Sequence, residues 1–421
     1  MGNKSFPITA GLDIHKNSIV CALLLDKDRV IRANFARDRT GIDLLTGFLR
    51  QYGCEQVVME STGPYYILVY DKLSDAGFKV SLINALDNPT RGRVKTDFRD
   101  AERLVRKFLA GEVRPSFVPE GPIRELRKLT RRRHKLVAIR AMVKNLIRAE
   151  IDELAIPIDK VFSSIGKKAK EFLLTITSEK DLEALLAKYP SLRGKIEAIR
   201  AIIDIEIPEV NGFIINVLVK LLMEIDKTIK EIDSAIEKIV TSCHRLLNSV
   251  KLLMTIPGVG FIAAVTILAE IGDISRFPSY KSLAMYAGLC PRIVQSGGKL
   301  YQAPLPWRCN RRLRWIMYEV AQSLLRTRSR LKDFYERIKK RKGHKVATIA
   351  LAHKILIGIW HMLTRNEPWL EKIKQPKKLS ATTVEKKTIK AIRLLRSLGY
   401  IVIKEDNKFV PKDNLKFYDP P

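Results

Sequence analysis

From residue 7 to residue 84, short apolar runs alternate with amphipathic ones. PITAGLDI (7–14), SIVCALLLD (18–26) and VIRANF (30–35) are strand-length runs separated by short polar turns, which predicts three consecutive strands. GIDLLTGFLRQY (41–52) repeats its apolar positions at helical spacing, and QVVME (56–60) is a brief apolar strand. PYYILVYDKLSDAG (64–77) predicts a helix with Pro64 near its start and Gly77 at its end. FKVSLIN (78–84) predicts another strand and residues 98–111 another helix. The order β-β-β-α-β-α-β-α is an α/β layout with a mixed sheet.

Past residue 120 the strand signals fade. IRELRKLTRRRHKLVAIRAMVKNLIRAEI, KEFLLTI, DLEALLAKY and VNGFIINVLVKLLMEIDKTIKEIDSAIEKIV carry apolar residues three and four apart with few breakers. That is the pattern of long antiparallel helices or a coiled coil. Such a spacer suits dimerisation, and equally suits simple separation of two domains. MTIPGVGFIAAVTILAEIG (254–272) opens a third compact region, followed by the helical patterns RRLRWIMYEVAQSLLR (311–326) and VATIALAHKILIGIWHML (346–363). Beyond Pro376 a lysine-rich link leads to a predicted helix, TVEKKTIKAIRLLRSLG, and a hairpin turning at Glu405-Asp406-Asn407. The chain is expected to be α/β plus all-α, with domains over 1–118, 119–250 and 251–370 and a small extension over 371–421.

Charge adds a partner to this picture. The chain has 76 Lys+Arg against 45 Asp+Glu, a formal charge of +31, and the excess is concentrated. Residues 121–150 hold 10 basic and 2 acidic side chains, and 276–345 hold 18 and 3. Two basic blocks in a near-neutral scaffold suggest a polyanion footprint, and nucleic acid is the natural polyanion. Arg131, Arg132 and Arg133 in the first block, and Arg292, Lys299, Arg308, Arg311 and Arg312 in the second, are the candidate phosphate contacts. An anionic membrane would need a bulky apolar face with Trp and Phe anchors, which these segments lack. No uninterrupted apolar run reaches about 18 residues, and MGNKSFPITA has no signal-peptide core, so a cytoplasmic protein without membrane contact is expected. The five cysteines are scattered without a C-x-x-C pair, which fits a reducing compartment and argues against structural zinc.

Against this basic background the acids stand out. VKTDFRDAERLVR (94–106) places Asp97 and Asp100 three residues apart at a predicted helix start, on one face. Capping would account for them: Asp97 as N-cap, Asp100 in the first turn. Asp13 lies inside the apolar first strand, GLDIHKN, where a bare carboxylate is costly and must be paired, hydrogen-bonded or bound to metal. Glu60 ends the strand VVME, at the sheet edge where open α/β sites are built. Four carboxylates brought together without basic partners would need a cation, and hard oxygen ligands suit Mg²⁺ or Mn²⁺. Two such ions about 4 Å apart clamp the attacking and leaving oxygens of a phosphoryl displacement. His15 lies two residues after Asp13, but a strand histidine is more often a packing or surface group, and it is left outside the site.

GLDIHKNS, MESTGPYY and VKTDFRDAERL, in that order, resemble the DEDD-type insertion-sequence transposases, a group described as bridge-RNA-guided recombinases. The resemblance continues into IPGVG, AEIGD and FPSYKSLAMYAGLCPRIVQSGG and covers roughly residues 7–365. It implies a RuvC-like, ribonuclease-H-type domain whose metal site matches Asp13, Glu60, Asp97 and Asp100. It also implies a C-terminal transposase domain, donor and target DNA, an element-encoded bridge RNA, and a homodimer assembling to a tetramer.

IPGVG (256–260) before an apolar helix matches a helix-hairpin-helix pattern, in which Gly258 and Gly260 would turn the backbone and offer amides to a phosphate. An ordinary helix–helix turn reads the same way. Ser296, in QSGGKL, is by itself a turn residue. In the family the serine of the matching Ser-Gly motif forms a phosphoserine link to DNA, so the resemblance implies this for Ser296, within a composite site joining domains of different protomers. The chain departs from the family pattern just afterwards: APLPWRCNRRLRWI keeps Asn310 and Leu313-Arg314, but has Trp307, Arg308 and Cys309 where lysine and glycine are usual. Two other readings compete with a recombinase. A junction-resolving endonuclease would use metal-activated water and form no adduct, and a non-enzymatic scaffold would bind nucleic acid without chemistry.

Overall fold

The computed structural model describes residues 7–61, 63–85, 96–177, 182–296 and 299–369, with short C-terminal pieces at 389, 392–393, 400–402 and 409–411. For 292–296, 299–303, 400–402 and 409–411 only the backbone is described. Two compact units result. The first comprises Met1–Val250 with Phe261–Arg276, and the second Lys251–Gly260 with Phe277–Pro421.

The first unit begins with β1 (Thr9–Ile14), β2 (Ser18–Leu24), β3 (Val30–Ala36), α1 (Arg39–Gln51), β4 (Gln56–Glu60), α2 (Tyr66–Asp75), β5 (Lys79–Ile83), α3 (Asp97–Leu109) and the two-residue β6 (Pro115–Ser116). These strands form one mixed sheet in the order β3-β2-β1-β4-β5-β6. β1 pairs antiparallel with β2 and parallel with β4, and β4 runs parallel to β5. Every strand and helix predicted over 7–111 is present; only β6, too short to carry a periodic signal, is additional.

The two faces of β1 explain its sequence. Ala10, Leu12 and Ile14 join Val57 and Met59 of β4, Ile42, Leu45 and Leu49 of α1, and Val69 and Leu73 of α2 in one apolar core. The alternate residues, Gly11 and Asp13, point to the other face. There α3 lies on β1, β2 and β4, and its Leu104 packs with Val58 and Ile83. α3 is amphipathic for this reason: Ala101, Leu104 and Val105 are buried at helical spacing while its other face is charged.

α4 (Gly121–Glu153), α5 (Lys167–Thr177), α6 (Leu182–Lys188), α7 (Ile196–Ile203) and α8 (Glu209–Ser242) follow. α4 and α8 run antiparallel, as the pairs Arg133–Asp233, Arg140–Asp226 and Asn211–Glu150 show. α5 to α7 close an apolar core against them around Phe172, Ile199 and Ile215. α9 (His244–Met254) leads to α10 (Phe261–Ile271), which packs on α4 within the first unit.

The second unit holds α11 (Tyr280–Ala287), the antiparallel hairpin β7 (Arg292–Ser296) and β8 (Lys299–Ala303), α12 (Arg311–Leu324) and α13 (Leu331–Arg365). β9 (Tyr400–Val402) and β10 (Phe409–Pro411) pair antiparallel, as the C-terminal hairpin reading expects; its turn and most of the helix predicted before it lie outside the described residues. α13 changes direction at Gly343, whose φ of 79° is closed to most side chains. Its later part includes an 18-residue window of mean hydropathy 1.6, long and apolar enough on those grounds alone to cross a membrane. Here it is a core helix, burying Leu351, Ile355 and Ile359 on the side that meets α11 and α12.

Candidate metal and nucleic-acid site

Three elements of the first unit carry the four acids. Asp13 sits one residue before the end of β1, and Glu60 is the last residue of β4. The parallel register Thr9↔Gln56 to Leu12↔Met59 places Glu60 beside Asp13 one step further on. Asp97 and Asp100 occupy the first turn of α3. The capping reading holds in part: Thr96, not Asp97, is the N-cap and makes no side-chain cap bond, while Asp97 and Asp100 both lie in the first turn, where the helix dipole favours them.

The other three carboxylates are near enough to perturb Asp13. Burial raises the Asp13 carboxyl above the usual carboxylate range; His15 opposes the shift, while Asp97, Glu60 and Asp100 each add to it. His15 Nε2 stands 3.4 Å from Asp13 Oδ2 and 3.4 Å from Asp97 Oδ2. One ligand atom from each of Asp13, His15 and Asp97 falls within 4.8 Å of the others. Asp100 has a basic partner of its own, accepting from Arg103 Nη2 one turn along α3. This cluster passes a chemical test for a divalent cation: it is rich in hard oxygen donors, its central carboxyl is raised by burial and by like charge, and His15 Nε2 is shielded from water without a hydrogen bond. Sequence reasoning set His15 aside; its position beside Asp13 was the available signal.

The candidate phosphate contacts separate by environment. Arg131 donates from Nε and Nη2 to the two carboxylate oxygens of fully buried Glu270, at 2.7 and 2.8 Å, and joins α4 to α10. Arg133 makes the corresponding pair with Asp233 of α8. Both guanidinia are thus engaged with carboxylates of the same unit, although Arg131, like Arg132, is exposed. In the second unit Arg311 is exposed at the start of α12, Arg312 is half-buried beside it, and exposed Arg308 lies over the Trp307 ring at 5.3 Å. Arg326, Arg328, Arg330 and Lys332, and further on Arg337, Lys339, Lys340, Arg341, Lys342 and Lys345, are all exposed.

Gly258 has φ 84°, and a Cβ there would lie 2.8 Å from the Leu324 amide nitrogen, so the turn backs directly onto α12. Around Gly260 the same test meets open space. Ser296 is the last residue of β7 and pairs with Lys299 across the hairpin; the side chains of Ser296, Arg292 and Lys299 lie outside the described residues. The segment that follows is firmly anchored. Asn310 Oδ1 caps α12 by accepting from the Arg312 and Leu313 amides. Arg314 donates to Pro306 O and reaches Cys309 Sγ at 2.9 Å, and both side chains press on Gly288, which ends α11 at φ 66°.

Comparison with known proteins agrees with this layout. A DEDD-type transposase family model matches residues 10–156, and a model described as "Transposase IS116/IS110/IS902 family" matches residues 250–336. The insertion element IS116 uncharacterized 44.8 kDa protein of Streptomyces clavuligerus is 26% identical over 314 residues, covering 67% of this chain and 74% of that protein. The transposase for insertion sequence element IS1111A of Coxiella burnetii is 34% identical over 121 residues, 28% of this chain and 33% of the relative. The pilin gene-inverting protein of Moraxella bovis is 33% identical over 129 residues, 30% of this chain and 40% of the relative. With the N-terminal match spanning the strands and helix that carry the four acids, the chain belongs to the DEDD transposases of the IS116/IS110/IS902 family.

Proposed function

We propose that this transposase breaks and rejoins DNA strands through a metal-assisted serine mechanism. The observation that supports the reading is that Asp13 and Asp97, with His15, bring ligand atoms within 4.8 Å of one another, while Glu60 and Asp100 lie outside that group but near enough to act on the Asp13 carboxyl. The strand order, with β1 to β3 antiparallel and β4 and β5 parallel to β1, supports a RuvC-like, ribonuclease-H-type domain over 1–118. The four acids would hold Mg²⁺ or Mn²⁺, which supplies positive charge against the non-bridging oxygens of the reacting phosphate.

The chain's own side chains do the rest. Ser296 Oγ attacks phosphorus, its proton leaves, a sugar hydroxyl departs, and a phosphoserine ester joins protein to DNA. Attack by a sugar hydroxyl of the recipient strand reverses the linkage and frees the serine. One phosphoester replaces another at each step, so no energy-rich cofactor is required. Exposed cations such as Arg132, Arg308 and Arg311 would neutralise the strands being exchanged. The domain over 251–370 would present Ser296, and the helices over 119–250 would bring protomers together as a dimer, then a tetramer on DNA. Donor and target would be selected by pairing with a bridge RNA.

The test is to incubate the intact chain and its co-purifying RNA with plasmid carrying the element's ends, then map protein–DNA adducts by mass spectrometry. The expected adduct is on Ser296 and is absent from Ser296→Ala, which still binds DNA. Normal strand exchange by Ser296→Ala would overturn the covalent mechanism in favour of metal-activated water.

A further inference from the structure

We infer that His15 is a nitrogen ligand of the divalent ion held by Asp13 and Asp97, and that it biases the site toward Mn²⁺ over Mg²⁺. The inference rests on the metal-site reading above and adds to it a donor that the four-acid set lacks.

His15 follows the last residue of β1, and its amide donates to Ser18 O at 2.9 Å, closing the tight β1–β2 turn. That bond fixes the backbone from which the ring projects. Nε2 then sits 3.4 Å from an oxygen of each of two carboxylates that reach it from different elements, a strand and a helix. Neither contact qualifies as a hydrogen bond, and the nitrogen is shielded from water. A buried polar nitrogen shared evenly between two carboxylates, bonded to neither, is an arrangement a shared cation completes. Donors about 2.1 Å from an octahedral ion lie about 3 Å apart along its edges, so the observed 3.4 Å separations need little contraction.

The rival role is electrostatic. A protonated His15 would be a counter-ion quieting the acids, which the incoming metal must displace. The two roles predict opposite signs. Removing a ligand weakens metal binding, whereas removing a competing cation strengthens it. A ligand role also predicts discrimination, because Mg²⁺ prefers oxygen and water while a transition ion accepts imidazole more readily.

The experiment measures Mn²⁺ binding to the intact chain by electron paramagnetic resonance, with Mg²⁺ affinity from competition. Wild type is compared with His15→Asn, His15→Gln and Asp13→Asn, each first checked for native circular dichroism and melting. Both His15 variants are expected to lose about tenfold in Mn²⁺ affinity and clearly less in Mg²⁺ affinity. Electron spin-echo spectra of the Mn²⁺-loaded wild type should show coupling to an imidazole nitrogen that both variants lack. Tighter binding of both ions in the variants, unchanged affinity, equal loss for both ions, or no nitrogen coupling in the wild type would each overturn the inference. Asp13→Asn separates the two levels: wild-type Mn²⁺ binding by that variant would sink the metal-site reading itself, whatever His15 does.

Discussion

Gly11 of β1 lies so close to Ala101 of α3 that a Cβ on Gly11 would overlap the Ala101 carbonyl oxygen and Val105 Cγ2. This close approach is what seats the helix on the strand. Asp13 is two residues along the same strand face, and Asp97 and Asp100 belong to the turn of α3 just before Ala101. Gly11→Val is expected to push α3 off β1, at an overpacking cost of about 1–3 kcal/mol. Because the displaced helix carries two of the acids, the variant should also lose stabilisation by Mn²⁺. Denaturant unfolding with and without the ion checks both, and Gly11→Ala should show a smaller effect of the same sign.

On the metal-site reading, Asp13 is expected to stabilise the fold only when a cation is bound. Burial and three neighbouring carboxylates hold its charge at a disadvantage in the metal-free protein. Asp13→Asn should therefore melt no lower than wild type in chelator. At an Mn²⁺ concentration about 100 times the dissociation constant, wild type should gain about 2.7 kcal/mol and the variant almost nothing. Paired melting curves in chelator and in Mn²⁺ measure the difference.

Carboxylate-paired and solvent-facing basic residues are expected to do different work. Arg131→Ala removes the bidentate partner of the buried Glu270 carboxylate and leaves it Arg127 at 3.8 Å, so it should cost about 1–3 kcal/mol of stability. Arg132→Ala, or joint replacement of Lys340, Arg341 and Lys342 by alanine, should leave melting nearly unchanged. Removing a cation that neutralises one phosphate should instead reduce the salt slope of DNA binding by about 1. Binding isotherms at several salt concentrations, set beside melting curves, separate the two classes.

A pH dependence follows from the α4–α8 pairing. Burial pushes the Asp226 carboxyl up, but Lys170 at 2.6 Å and Arg140 at 3.4 Å outweigh it and hold the carboxyl below its usual range. A carboxyl lowered by folding contributes stability above its unfolded pKa and loses it as pH falls through the folded value. Asp226→Asn should thus cost about 1–3 kcal/mol at pH 7, with the gap closing below about pH 4. Urea unfolding of both proteins at pH 7, 5 and 3 gives the comparison.

Much of the candidate acid site could be read from residue order. Asp13 and Glu60 stand out because apolar strands surround them, and Asp97 with Asp100 because a helical repeat starts there. What stayed hidden depends on pairings between distant positions. No local pattern links Arg131 to Glu270, 139 residues away, so a basic run reads as an uninterrupted phosphate surface until α10 is seen against α4. Gly11 reads as an ordinary small strand residue, because the demand for glycine comes from α3. His15 looks like a packing group, since the second carboxylate that frames it arrives from residue 97. The bend of α13 was invisible for another reason: a lone glycine at 343 is tolerated in many straight helices, and only its positive φ marks the break.

The central claim, that Asp13, Glu60, Asp97 and Asp100 bind a divalent cation together, is tested most directly by anomalous diffraction from crystals of the intact chain grown with MnCl₂. The account predicts an anomalous peak bounded by those four carboxylates and absent from Asp13→Asn crystals. Manganese peaks only at other sites, with the four carboxylates left without an ion between them, would contradict it.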